Sequence, residues 1–177
     1  YFLISLFPIA SAAQVTDKTL DDAFRSLKDG TAKVDSLNKL CRELEDNEKA
    51  IVYGIKIMDL AGKINYKKGV AQALNNTGVA YYSLEKGEEA LEYHQRALKI
   101  REELGDKKDI AASYSNIGNT YDLLGNKHKA IEYHTKSLRI KEERKDTLGM
   151  GISCLNIASA YLDIPDYYKA GCARHTG

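Results

Sequence analysis

Displaced by forty residues, the chain falls on itself, and this self-similarity narrows the possible folds more than any other feature. Ala50, Ala90, Ala130 and Ala170 come into register, as do Leu44, Leu84, Leu124 and Ile164. Tyr81, Tyr121 and Tyr161 align, each with an Asn five residues earlier: Asn76, Asn116 and Asn156. Tyr53, Tyr93 and Tyr133 align as well, Gly78 meets Gly118 and His94 meets His134. The agreement runs from residue 36 to residue 170. A period of this length marks stacked supersecondary units, each too small to bury its own apolar face.

Each unit reads as two helices. Leu74, Thr77, Tyr81 and Leu84 recur at steps of three and four, one face of a 3.6-residue helix. Small residues beside them (Gly78 and Ala80, Gly118 and Thr120, Ala158 and Ala160) let a second helix approach closely. A short polar turn follows, in which Gly125 takes a left-handed conformation cheaply. The second helix places Ala90, Tyr93, His94, Ala97 and Leu98 on one stripe. Its other face is charged, with Glu92 and Arg96, then Glu132 and Lys136, spaced four apart as on a solvated surface.

A small residue, a Tyr three later and an Ala nine beyond that resemble the tetratricopeptide repeat (TPR) family, and within it the units of forty residues. Their pattern is close to N-x-G-x-x-Y-x-x-x-G-x-x-x-x-A-x-x-Y-H-x-x-x-L-x-I. Residues 110–145 carry it as Asn116, Gly118, Tyr121, Gly125, Ala130, Tyr133, His134, Leu138 and Ile140. Residues 70–105 carry it with Glu85 in the place of Gly125. The resemblance implies an all-α, right-handed solenoid of helical hairpins. It divides the chain into a degenerate unit at 30–69 (Asn38 at the Gly place, Cys41 at the Tyr place), units at 70–109 and 110–149, and an incomplete unit at 150–177. Gly78, Tyr81, Ala90, Tyr93, His94, Gly118, Tyr121, Ala130, Tyr133, His134, Tyr161 and Ala170 take its packing positions. The pattern lapses after Ala170, with Ala173 and Arg174 where Tyr and His fall due, as expected of a fragment or of out-of-frame sequence at 171–177. Before the units, Leu20, Phe24 and Leu27 at helical spacing predict a capping helix within 14–29.

Composition excludes several classes. Lys and Arg number 26 against 25 Asp and Glu, a net charge of +1, which argues against a nucleic-acid protein. Three cysteines without a Cys-x-x-Cys pair supply neither a zinc knuckle nor a disulfide framework. Residues 1–13 (YFLISLFPIASAA) carry no charge and end in small-x-small sites. They read as a secretory signal peptide lacking its first residues, with cleavage expected after Ala12 or Ala13. The stretch is too short to span a bilayer core of about 20 residues, so no membrane span is expected within the chain.

No catalytic motif is visible: there is no G-x-S-x-G, phosphate loop or H-E-x-x-H, and the chain reads as a non-enzyme without cofactor or metal. His94 and His134 lie in apolar stripes, and Cys41 and Cys154 are expected on buried helix faces. In a TPR array the other face of each first helix lines a concave groove. Here that face holds Gln72, Asn76, Val79 and Ser83, then Ala112, Asn116, Asn119 and Leu123, then Ile152, Asn156, Ser159 and Asp163. Asn is a weak helix former, so its recurrence at 76, 116 and 156 asks for a reason. Its amide can pair with the backbone of an extended peptide, the role the resemblance implies, or can tie one helix to the next. The expected function is a protein- or peptide-binding scaffold. It resembles the exported, periplasmic sensory region of bacterial signalling proteins, in which a membrane helix and an output domain such as a histidine kinase or cyclase follow. The alternative is a stand-alone cytoplasmic adaptor binding an extended peptide in the same groove.

Overall fold

The computed structural model describes residues 15–28 and 30–164, which form eight α-helices and, among the described residues, no strand. They are α1 (Asp17–Ser26), α2 (Thr31–Arg42), α3 (Asn47–Lys63), α4 (Lys67–Ser83), α5 (Gly87–Leu104), α6 (Lys107–Leu123), α7 (Lys127–Glu143) and α8 (Thr147–Leu162). The starts of α4, α6 and α8 fall at 67, 107 and 147, the period of the sequence. The leader at 1–13, Ala170 and the tail at 171–177 lie outside the described residues.

Local chemistry sets the helix boundaries. The side chains of Asp46, Asp106 and Asp146 accept backbone N–H groups at the starts of α3, α6 and α8, and Asn126 does so for α7. Left-handed residues close the turns: Gly105 and Gly125 at φ 73° and 75°, and Asn65, Glu85 and Lys145 at 54°, 57° and 56°. The non-glycine residues hold this conformation against a steric penalty at their Cβ.

Packing follows the repeat. Ala90, Ala97 and Ala130 are buried where two helices of a unit meet. Tyr81 stacks on Tyr93 with ring centroids 5.2 Å apart, and Tyr121 on Tyr133 at 5.4 Å. The rings of His94 and His134 lie against Gly78 and Gly118, where a side chain would collide with them. At the N-terminal end Leu20, Val34, Leu37, Cys41 and Ile57 form an aliphatic cluster. Helix α1 closes it through Leu20 and the stacked pair Phe24–Tyr53. Each helix packs on its chain neighbour, and α2 also touches α4, α4 touches α6, and α6 touches α8. The even-numbered helices are thus drawn into one row, and their open face is the inner side of the stack.

Candidate functional site

The inner row holds every groove residue named from the sequence, but at different depths. Val79 is 41% exposed and Leu123 39%, and Ser83, Ile152, Ser159 and Asp163 are open to solvent. Gln72, Asn116, Asn119 and Asn156 are half-buried, and Asn76 is buried at 6% exposure.

The asparagine amides reach back toward the preceding unit. Asn76 Nδ2 donates to the Asn38 carbonyl oxygen at 2.9 Å, Asn116 Nδ2 to Asn75 Oδ1 at 2.9 Å, and Asn156 Nδ2 to Asn119 Oδ1 at 3.3 Å. Gln72 Nε2 donates to Asn76 Oδ1 at 3.1 Å. In this structure the amides therefore join helix to helix, and Asn76 has little surface left to offer a ligand. Asn38, at the glycine place of the degenerate unit, donates to the Gly69 carbonyl at 3.1 Å and ties α2 to α4.

Beneath this floor lie two cations that the sequence reading missed. Arg101 is 4% exposed, and its Nη1 donates to Ser113 Oγ at 2.7 Å and to Asn75 Oδ1 and the Asp109 carbonyl at 3.2 Å. Its Nε is buried with no hydrogen-bond partner. Lys141, in register with Arg101, donates to Ser153 Oγ at 2.8 Å and Ser115 Oγ at 3.1 Å. Among the described residues neither cation has a carboxylate within ion-pairing distance. Burial lowers both pKa values, and the more distant Asp109 and Asp106 carboxylates oppose this at Arg101 as Asp146 does at Lys141. The signal was present in the sequence: positions 61, 101 and 141 read Ala, Arg, Lys, with Ser113 and Ser153 also forty apart.

At the α2–α4 end of the row a cleft of about 260 Å³ is lined by Asp35, Asn38, Lys39, Arg42, Tyr66, Lys68 and Gln72. Its one carboxylate is already engaged: the Tyr66 hydroxyl reaches Asp35 Oδ1 at 2.9 Å and Oδ2 at 3.2 Å.

The remaining candidates are packing groups. Burial pushes the His94 pKa down to about 4, with the Arg101 charge adding to the effect, and lowers that of His134. Burial raises the Cys41 thiol to about 11, so it is a poor nucleophile. Cys154 corrects an expectation: it is exposed rather than buried. In register with it, Leu74 is covered by α5, and Tyr114 meets Tyr133 of α7 at 6.0 Å, whereas among the described residues no helix follows α8. Tyr161 is 37% exposed for the same reason. No cluster of three metal-ligating side chains gathers among the described residues, and no described helix is long and apolar enough to cross a membrane.

The sequence profile described as tetratricopeptide repeat matches residues 39–103 and 69–143. A search of curated proteins finds no match. Among solved structures, BtubC (BKLC) from P. vanneervenii superposes with a TM-score of 0.70 at 21% identity, covering 88% of this chain and 66% of that one. The apo form of RapI gives 0.72 at 18% identity, covering 85% and 56%. A Rap protein complexed with competence and sporulation factor gives 0.71 at 19% identity, covering 88% and 46%. At these identities the likeness is one of fold. The chain spans 46% to 66% of the length of these three structures.

Proposed function

Because the chain belongs to the tetratricopeptide repeat family, we propose that it is a non-catalytic scaffold holding an extended segment of a partner protein along the inner row of helices. The observation that carries this reading is the open strip Val79, Ser83, Leu123, Ile152 and Ser159. It is a run of apolar and neutral polar side chains along α4, α6 and α8, on the one side where three successive units face the same space. The fold likeness to a Rap protein complexed with competence and sporulation factor supports the same use. The uncharged leader at 1–13 supports export, which makes the scaffold an extracytoplasmic sensory or interaction segment of a bacterial signalling protein built on forty-residue units.

Peptide display tests the groove. Random twelve-residue peptides selected on residues 14–177 should lose binding when Val79→Trp and Ser83→Trp fill the strip, while the helical signal of the protein is kept. Selected peptides that ignore both substitutions would overturn the groove assignment. N-terminal sequencing of the protein from cells tests export: cleavage after Ala12 or Ala13 supports it, and an intact leader on a cytoplasmic product favours the adaptor alternative.

A further inference from the structure

We infer that α8 is an interface helix: it pairs two copies of this chain, antiparallel, across a two-fold axis at Leu155. This goes beyond the groove reading and does not depend on it. Among the eight described helices α8 alone carries no Asp, Glu, Lys or Arg. Leu148, Leu155 and Leu162 are the three most exposed large apolar side chains among the described residues, at 78%, 72% and 56%. An uncharged face with leucines this open marks an interaction surface.

These leucines stand seven apart, with Ile152 and Ser159 between them, so the five positions run at steps of four, three, four and three. That spacing is the seam of two helices packed side by side. The repeat itself does not ask for it. The positions in register with 148, 155 and 162 read Lys68, Asn75 and Tyr82 in α4, and Lys108, Ser115 and Asp122 in α6. Asn75 and Ser115 accept hydrogen bonds there from Arg101 and Lys141. Leucine at the same places in α8 therefore answers to a different neighbour. The following segment of the chain does not bring the rings that cover α4 and α6: Gly171, Cys172, Ala173 and Arg174 stand in register with Ile131, Glu132, Tyr133 and His134.

A second α8 meets these demands. Position 155 is midway between 148 and 162, so an antiparallel pair sets Leu155 against its own copy and Leu148 of each protomer against Leu162 of the other. Gly151 and Ala158, on the same exposed face, let the two backbones approach. The charges at the helix ends agree with that orientation: Arg144 and Lys145 precede α8, Asp146 caps it, and Asp163 follows it. Antiparallel helices also set opposite dipole ends side by side. A helix of 16 residues is about 24 Å long. One such pair sits at the small end of specific interfaces, so the dimer should dissociate in the range of about 1–100 µM. Val79, Ser83 and Leu123 of the groove strip lie on α4 and α6, outside the paired helices.

Sedimentation equilibrium of the whole chain between about 2 and 200 µM tests the pair, with the chain lacking residues 1–13 run beside it. Both should pass from monomer to dimer as concentration rises. Leu155→Glu with Leu162→Glu should weaken association at least about tenfold with the helical signal unchanged, because the two copies of position 155 face each other across the axis. Val52→Glu with Ile55→Glu, at exposed positions of α3, should leave association as it was. Leu162→Glu alone should weaken it, and adding Leu148→Lys should recover most of the loss, since the two positions meet only in an antiparallel pair. A chain monomeric throughout, a dimer lost with residues 1–13, a dimer insensitive to Leu155→Glu with Leu162→Glu, or assembly beyond the dimer overturns the interface. Absence of rescue by Leu148→Lys overturns the antiparallel arrangement.

Discussion

Gly118→Ala measures how closely two helices of one unit are fitted together. A Cβ at Gly118 would lie 2.7 Å from Cε1, 2.8 Å from Nδ1 and 2.9 Å from Nε2 of His134. That ring is only 2% exposed and cannot swing into solvent, so either the ring or the backbone of α6 must move. Overpacking of this kind costs about 1–3 kcal/mol. The substitution also removes a helical glycine, a gain of about 1 kcal/mol, so the net loss falls between about 0 and 2 kcal/mol. Gly62→Ala isolates the packing contribution, because position 62 is also helical and its Cβ would meet nothing within 4 Å. It carries the same propensity gain without the collision, so the two variants should differ by the overpacking alone, about 1–3 kcal/mol. For a chain of this size each kcal/mol moves Tm by roughly 2–4 °C. Thermal melts followed by circular dichroism should therefore place Gly118→Ala below wild type or level with it, and Gly62→Ala above. Equal melting of the two variants would refute the argument that the histidine ring is seated on that glycine.

Acid should destabilise the stack through His94. Its folded pKa of about 4 lies below the ordinary 6.5, so the unfolded chain binds the proton more readily. The stability His94 contributes is full above pH 6.5 and falls by roughly 3 kcal/mol as pH drops toward 4. Urea midpoints measured between pH 7 and 5 should decline, and His94→Gln should flatten the decline; an unchanged slope in the variant would count against it. Glu85→Gly relieves a left-handed residue at φ 57° and should raise stability by up to about 1 kcal/mol in the same urea assay. Asn76→Ala removes the second donor to the Asn38 carbonyl, which keeps its bond within α2, and should cost about 0.5–1.5 kcal/mol, less a few tenths recovered through helix propensity. Asn119→Ala, which loses only the 3.3 Å contact from Asn156 on a half-buried face, should cost under about 1 kcal/mol.

The forty-residue period by itself determined the repeat architecture, the alternation of two helices and the stripe that holds Ala90, Tyr93 and His94; the solenoid and the inward face of its first helices were implied by the family resemblance those positions carry. Repetition records these features because every interior unit buries the same positions against the same neighbours, and an apolar side chain at a buried position is constrained whichever unit it stands in. Tertiary structure decided what the polar positions do. Asn76, Asn116 and Asn156 look alike in sequence, yet one meets a carbonyl of α2 and the other two meet Asn75 and Asn119 of the preceding first helix. Arg101 and Lys141 stand on the last turns of α5 and α7, and only the approach of α6 and α8 encloses them. Cys154 occupies a packing position but is exposed, because burial there depends on a following helix rather than on the residue itself. The cleft at Lys39, Arg42 and Lys68 joins residues from two helices that no spacing rule links. Helical periodicity acts within about ten residues of chain, whereas hydrogen-bond partners and electric fields depend on distances across units, which form only when the helices stack.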